Sequence, residues 1–436
     1  MIRSLRLSGS DTRVWLTTLT PIRDLVMMAA AMRKLSAILL LSLFTLSLIS
    51  GQVTLADEPP AKGIENPAAL QNFFRALAEV QSGRRLEPVR IMHFGDSHTA
   101  ADILTAEIRR HFQQDSGDGG AGWIVPRNPM STRRQGVASG ATPGWLIEGI
   151  GGRVAPDRIY GPAGIALSTS QPNERTWVDA SGNHFELYYV RQPGGGRIDV
   201  SVDGASVLDS PLSLQSSTAE ASHLFFDTSA ANGRHRVEIR TLNAGQVRIL
   251  GIVAEHIAPG IVYDVLGVNG ARASRILSWN QTALTSVLTD RQPDLIVLEY
   301  GTNEVTDNGW TVASYQRLLA GLLRRLQSAA PQAALLLLGP PDRSDLPVAV
   351  SKMPLMIQAQ RRAAFAAGAG FWSSYDAMGG AGAMNAWAAQ GLGQSDHIHL
   401  TRAGYNRIAD LFYQDLMLAY HNSTLDRRRG STLERP

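Results

Sequence analysis

The strongest constraint on this chain is the texture of its second half, where short, mostly apolar runs alternate with longer stretches of helical periodicity. Ile261–Leu266, Asp294–Tyr300 and Ala334–Leu338 are runs of the first kind. Ala271–Val287, Val312–Leu326, Met353–Ala367 and Ala403–Ala419 repeat apolar residues at helical spacing. A strand that is apolar on both faces must be covered on both, which predicts a parallel sheet between helical layers. The same unit opens earlier in the chain. A helical pattern through Leu70, Phe73, Phe74, Leu77 and Val80 precedes the run Val89–Phe94, Gly95 breaks it, and Ala100–Phe112 turns helical again.

From about Asp115 to Gly260 the texture changes. Clusters of Gly, Ser and Asn separate short stretches such as Phe185–Val190, Arg197–Val202, His235–Arg240 and Gln246–Glu255. Several alternate with the two-residue period of a half-buried strand, and Asp203-Gly204 and Asn232-Gly233 are strong turn dipeptides. We expect an all-β sandwich at 115–260, interrupting an α/β domain made of 57–114 and 261–422. A polar, arginine-rich tail follows at 423–436.

The net charge of +3 is misleading, because residues 1–56 alone carry +4 and the remainder −1. No electrostatic case for nucleic acid survives that subtraction. The leading segment reads as an export signal: Arg33 and Lys34, an uncharged apolar stretch Leu35–Ile49, then a cleavage site after Ala56. Met32 is the expected true start. The apolar stretch is short for a membrane span, with an uncleaved anchor as the alternative. A periplasmic monomer is expected, with no span after signal removal. The chain has no Cys, which excludes disulfides, thiolate metal sites and a cysteine nucleophile.

Serine, carboxylate and histidine chemistry remain. Ser97, in Gly95-Asp96-Ser97-His98, follows the first strand and opens a helix. Its hydroxyl there would stand beside backbone N–H groups without helical partners, able to stabilise an oxyanion; an ordinary N-cap serine is the competing reading. Asp396 and His399, in Ser395-Asp396-His397-Ile398-His399, are close enough for one turn to present both. A carboxylate that fixes the imidazole tautomer lets the other ring nitrogen take a serine proton. Pairing of His397 with His399 at a metal is the alternative, but no further His or Cys cluster stands nearby, so neither metal nor cofactor is expected. Asn303, at the end of another strand, is a candidate oxyanion donor or a plain turn asparagine. Gly270 follows a third strand, in a loop that either admits a ligand or merely closes.

In this order the four blocks resemble those of the SGNH (GDSL-type) serine hydrolases: Gly95-Asp96-Ser97, Gly270, Gly301-Thr302-Asn303 and Asp396-x-x-His399. The resemblance implies a flavodoxin-like three-layer α/β sandwich. It also implies Ser97 as nucleophile, His399 as base, Asp396 as its orienter, and the Ser97 N–H, Gly270 N–H and Asn303 amide as oxyanion donors. His98 stands where many members have Leu, and Glu304 where many have Asp. The run Gly95–Asp102, with the leader, is similar to Gram-negative peptidoglycan O-acetylesterases, whose first two blocks are separated by a β domain like a carbohydrate-binding module. Ser97 and Gly270 are 173 residues apart here. An esterase acting on C6 O-acetyl groups of N-acetylmuramic acid is therefore expected, with peptidoglycan or another acetylated polysaccharide as partner. The alternatives are a polysaccharide O-acetyltransferase, an esterase or lipase of other specificity, or an idle glycan-binding protein. Trp123, Trp145, Trp177, Tyr188 and Tyr189 are candidates to stack on sugar, or core.

Overall fold

The computed structural model describes residues 63–127, 132–228, 233–347 and 351–433. The expected leader and its expected start at Met32, and Asn232 of the second turn dipeptide, lie outside them. Five parallel strands form the central sheet: β1 (Val89–Gly95), β2 (Ile261–Gly267), β3 (Leu295–Glu299), β4 (Ala334–Gly339) and β5 (Gly370–Ser373), in the spatial order β2-β1-β3-β4-β5. This is the flavodoxin-like order, and it bears out the expected architecture.

Alternate residues of each strand feed opposite cores. Met92, Phe94, Ile296, Leu298, Leu335 and Leu337 face one side. There they meet α3 (Gln281–Arg291), α4 (Val312–Ala329) and α5 (Met353–Ala366). Val89, Ile91, Leu295, Val297, Leu336 and Leu338 face the other. That side is closed by α1 (Gln71–Gln81), α2 (Leu104–Ser116) and α6 (Arg402–Leu433). The mostly apolar runs thus have their cause, since both faces are buried under helices.

Two expected helices differ in ways that matter locally. The pattern Ala100–Phe112 is split into a short turn, Ser97–Ala100, and α2, because Asp102 adopts a left-handed backbone (φ 46°). The pattern Ala271–Val287 is a 3-10 stretch, Ala273–Ser278, followed by α3. Asn280 starts α3 afresh by accepting a bond from the Ala283 N–H at 3.0 Å. At the other end, α6 continues to Leu433, so the expected tail from 423 is helical at least to that residue.

Between β1 and β2 lie two antiparallel sheets. The outer one is built from Leu212–Ser213, Arg197–Val202, Arg234–Thr241, Arg175–Ser181 and Ala138–Ala141, and its longer strands alternate buried and exposed residues. The inner one contains Glu220–Asp227, His184–Arg191, Val247–Glu255, Ile165–Thr169 and Leu146–Gly149, with Gly120–Ile124 added against Val247–Glu255. Val247–Glu255 is buried at every position. One of its faces packs into the sandwich through Ile249 and Ile252, and the other joins Trp279, Leu284 and Phe94 through Leu250 and Val253. Trp123, Trp145, Tyr188 and Tyr189 are buried among these residues, so the structure assigns these four aromatics to the core. Trp177 is half-buried, with the Arg236 guanidinium 5.8 Å from its ring centre.

Candidate active site

Parallel register brings Gly95, Gly267 and Glu299 level across β2-β1-β3. The chain segments that follow these strands, and β4, therefore emerge at one edge of the sheet. They are Asp96–Ser97, Val268–Ala271, Tyr300–Glu304 and Pro340–Ser344. Ser97 opens the helical turn Ser97–Ala100, and the buried Asp96 caps it by accepting the His98 N–H at 3.0 Å. Two glycines let this turn sit directly on the strand ends. A Cβ on Gly95 would collide with the Thr99 side chain, and one on Gly267 with the Ala100 backbone nitrogen.

His399 arrives from far along the chain, just before α6, and its Nε2 lies 2.9 Å from Ser97 Oγ. Its Nδ1 is 2.7 Å from Asp396 Oδ2. The other Asp396 oxygen accepts the backbone N–H groups of Ile398 and His399, each at 3.0 Å. Burial alone would raise this carboxyl, but the His399 bond and the two N–H groups hold it down to about 2. Asp396 is thus an anion across the neutral range, with its imidazole partner fixed in direction. Both nitrogens of His399 are engaged in this relay. His397 lies outside it, in a left-handed backbone conformation (φ 54°).

Asn303 starts the 3-10 turn Glu304–Thr306, and its Nδ2 donates to the Ala271 carbonyl at 2.9 Å. That bond ties it to the Gly270 loop and leaves the second amide hydrogen for another acceptor. Gly270 is exposed with φ 73°, and its surroundings are open. The position marked by Glu304 proves structural. Its buried carboxylate accepts the Ala273 N–H at 2.8 Å and the Gly301 N–H at 3.1 Å, bracing the two loops against each other.

Under the serine lies a layer that sequence reasoning left without roles. His98 is buried, its ring centre 5.3 Å from that of His399, and its Nδ1 is 2.9 Å from the Tyr405 hydroxyl. Burial, with His399 adding to it, pushes His98 down to about 4, so it is neutral at pH 7. Thr99 donates to the buried Glu299 at 2.7 Å, and His93 Nε2 approaches the same oxygen at 3.2 Å. Burial and the neighbouring Glu299 raise the Asp96 carboxyl well above its ordinary range. Arg343, after β4, donates to the Thr302 carbonyl at 2.6 Å and pairs with Asp345. Its place just after a parallel strand was the available signal, since every such loop reaches this edge.

Residues 237–407 match the GDSL-like lipase/acylhydrolase family. The matched span contains Gly270, Asn303, Asp396 and His399, and Ser97 precedes it. A solved peptidoglycan O-acetylesterase is similar in structure, with a TM-score of 0.69 and 23% identity over 82% of this chain and 99% of that one. A family two carbohydrate esterase from Cellvibrio japonicus aligns at TM-score 0.28 and 15% identity, over 65% of this chain and 98% of that one. One from Clostridium thermocellum, in complex with cellohexaose, aligns at 0.27 and 12%, over 64% and 100%. No curated protein sequence matches. The family match and the fold bear out the resemblance to SGNH (GDSL-type) hydrolases, and with it an ester-hydrolysing serine hydrolase.

Proposed function

Taking a GDSL-type ester hydrolase as the premise, we propose that this chain removes O-acetyl groups from peptidoglycan, at C6 of N-acetylmuramic acid, in the periplasm. The observation that carries the mechanism is the continuous relay from Ser97 Oγ through His399 to Asp396, at 2.9 and 2.7 Å. Ser97 attacks the acetyl carbonyl as His399 Nε2 takes its proton, and Asp396 balances the imidazolium. The Ser97 and Gly270 N–H groups and the free Asn303 amide hydrogen hold the tetrahedral oxyanion. His399 returns the proton to the departing sugar oxygen as its bond to the carbonyl carbon breaks, leaving the acetyl group on Ser97 as an ester. Water, activated by the same imidazole, then releases it as acetate. The neutral His98 under His399 adds no charge to oppose the imidazolium.

The choice of an acetylated cell-wall glycan is supported by the structural likeness to a peptidoglycan O-acetylesterase along nearly all of that chain. In this reading the β-sandwich at 115–260 presents the polymer. The leader exports the protein, and no helix among the described residues is long and apolar enough to cross a membrane. The test is acetate release from O-acetylated peptidoglycan by the purified chain, beside Ser97→Ala and a de-acetylated control. Release abolished by the substitution is expected. Hydrolysis of a small aryl acetate with none of the polymer would keep the serine hydrolase and sink the cell-wall assignment.

A further inference from the structure

A cavity of about 210 Å³ adjoins the catalytic edge, lined by Ala101, Ile103, Arg133, Gln135, Asn269 and Arg402. Its walls are near neighbours in sequence of the reacting groups: Ala101 ends the Ser97 turn, Asn269 precedes Gly270, and Arg402 follows His399 by three residues. A second cavity of about 340 Å³ shares Ile103, Gln135 and Arg402, so the depression continues away from the serine.

Two arginines in the first cavity have no partner among the described residues. Both Arg133 and Arg402 are exposed, and among the described residues neither guanidinium meets a carboxylate or a hydrogen-bond acceptor. The carboxylates close by are already engaged. Asp102 is paired with Arg109 at 3.1 Å and Arg134 at 3.4 Å, and Glu107 with Arg110 at 2.6 Å. The neighbourhood therefore carries an unbalanced positive charge, in a chain whose residues 57–436 sum to −1.

Arg133 is also held in place. It comes from the segment between β1 and β2 that carries the sandwich, yet its backbone N–H donates to the Ala100 carbonyl at 3.0 Å, on the Ser97 turn itself. The residues on its C-terminal side are pinned to the buried Asp102. Arg134 pairs with its carboxylate, the Gln135 N–H donates to it at 2.5 Å, and the Gln135 amide donates to the Asp102 carbonyl. Burial lowers Arg134, to about 10, against the pull of Asp102, so it remains a cation at neutral pH. A buried ion pair is an expensive way to fix a loop, and what it fixes here is the seat of Arg133 on the Ser97–Ala100 turn.

We propose that Arg133 and Arg402 form an anion subsite that grips a carboxylate of the substrate beside the acetyl ester, making this an esterase selective for acidic acetylated glycans. This rests on the reading of Ser97 as nucleophile. Paired guanidinium donors suit the planar, bidentate geometry of a carboxylate. In peptidoglycan that group belongs to the stem peptide; in an acidic polysaccharide it belongs to a uronic sugar.

The test compares the full chain with R133Q, R402Q and the double variant on four substrates. These are O-acetylated peptidoglycan fragments bearing stem peptides, the same fragments with their carboxyls converted to amides, an O-acetylated polyuronate, and 4-nitrophenyl acetate. The double variant is expected to raise KM on the anionic glycan roughly tenfold with kcat nearly unchanged. Amidated fragments and the aryl acetate should be indifferent to it, and added salt should weaken the wild type alone. An effect on peptide-bearing fragments assigns the carboxylate to the stem peptide, and one confined to the polyuronate assigns it to the sugar. Equal losses on native and amidated fragments, or no loss on any anionic substrate, would overturn the subsite. Neither of those results touches the hydrolase reading while 4-nitrophenyl acetate is still cleaved through Ser97.

Discussion

Two groups of polar, titratable side chains in this molecule use the same kind of contact for opposite ends. At the sheet edge, Asp396 and His399 are 43% and 33% exposed and contact each other at 2.7 Å. Where the sandwich meets the parallel sheet, Arg291 (1% exposed) at the end of α3 bridges Glu255 (2%) at 2.7 Å and Asp264 (0%) on β2 at 3.1 Å. Arg90 on β1 closes the cluster, pairing with Glu255 at 2.7 Å. In the exposed pair, water can screen and exchange, which suits the proton transfer proposed for it. In the buried cluster every charge depends on its neighbours, and movement would strand one of them. Openness suits the first to turnover; enclosure suits the second to joining two sheets.

The contrast can be broken by experiment. Ser97→Ala should reduce acetyl-ester hydrolysis by about 10⁴-fold or more while leaving the unfolding curve nearly unchanged. A large loss of stability instead would make the edge structural. Arg291→Met should act in the reverse sense. With Asp264 stripped of its arginine and Glu255 left to Arg90 alone, the fold should lose about 3–5 kcal/mol in denaturant unfolding, with kcat of the folded fraction preserved. Asn303→Ala should lower kcat by about 10²–10³, and a loss of only a few-fold would remove its amide from the oxyanion site.

Glu255→Gln sharpens the comparison through pH. Burial would raise the Glu255 carboxyl, but Arg291 and Arg90 together hold it down to about 2, against an ordinary 4.5. A depressed carboxyl stabilises the fold above its unfolded value, and that stability is lost as pH falls through the folded one. The wild type should therefore lose on the order of 3 kcal/mol between about pH 5 and pH 2. The variant should lack that acid-dependent part, showing a flatter acid limb from a lower starting stability. Unaltered acid unfolding would show that the cluster does not join the sheets as described.

Much of this was legible without coordinates. The runs Val89–Phe94 and Asp294–Tyr300 announced strands buried on both faces, and Ser97, Asn303, Asp396 and His399 carried their chemistry in short blocks. What escaped were features whose partners are remote. The strand Gly370–Ser373 is too short to display a period. The break at Asp102 is set by Arg109 and Arg134, and the break before α3 lies in a stretch whose apolar spacing runs straight through it. Glu304 looked like a variant position in a motif until its bonds to Ala273 and Gly301 were visible.

Sequence alone determined the order of most elements and the identity of the candidate reacting groups, because periodicity and side-chain chemistry are local properties. Tertiary structure decided which charges meet. Ser97 and His399 are 302 residues apart in the chain, and Arg133 is clamped to the Ser97 turn through the buried Asp102. Such pairings depend on burial and on the register of distant strands, which no local stretch of residues encodes.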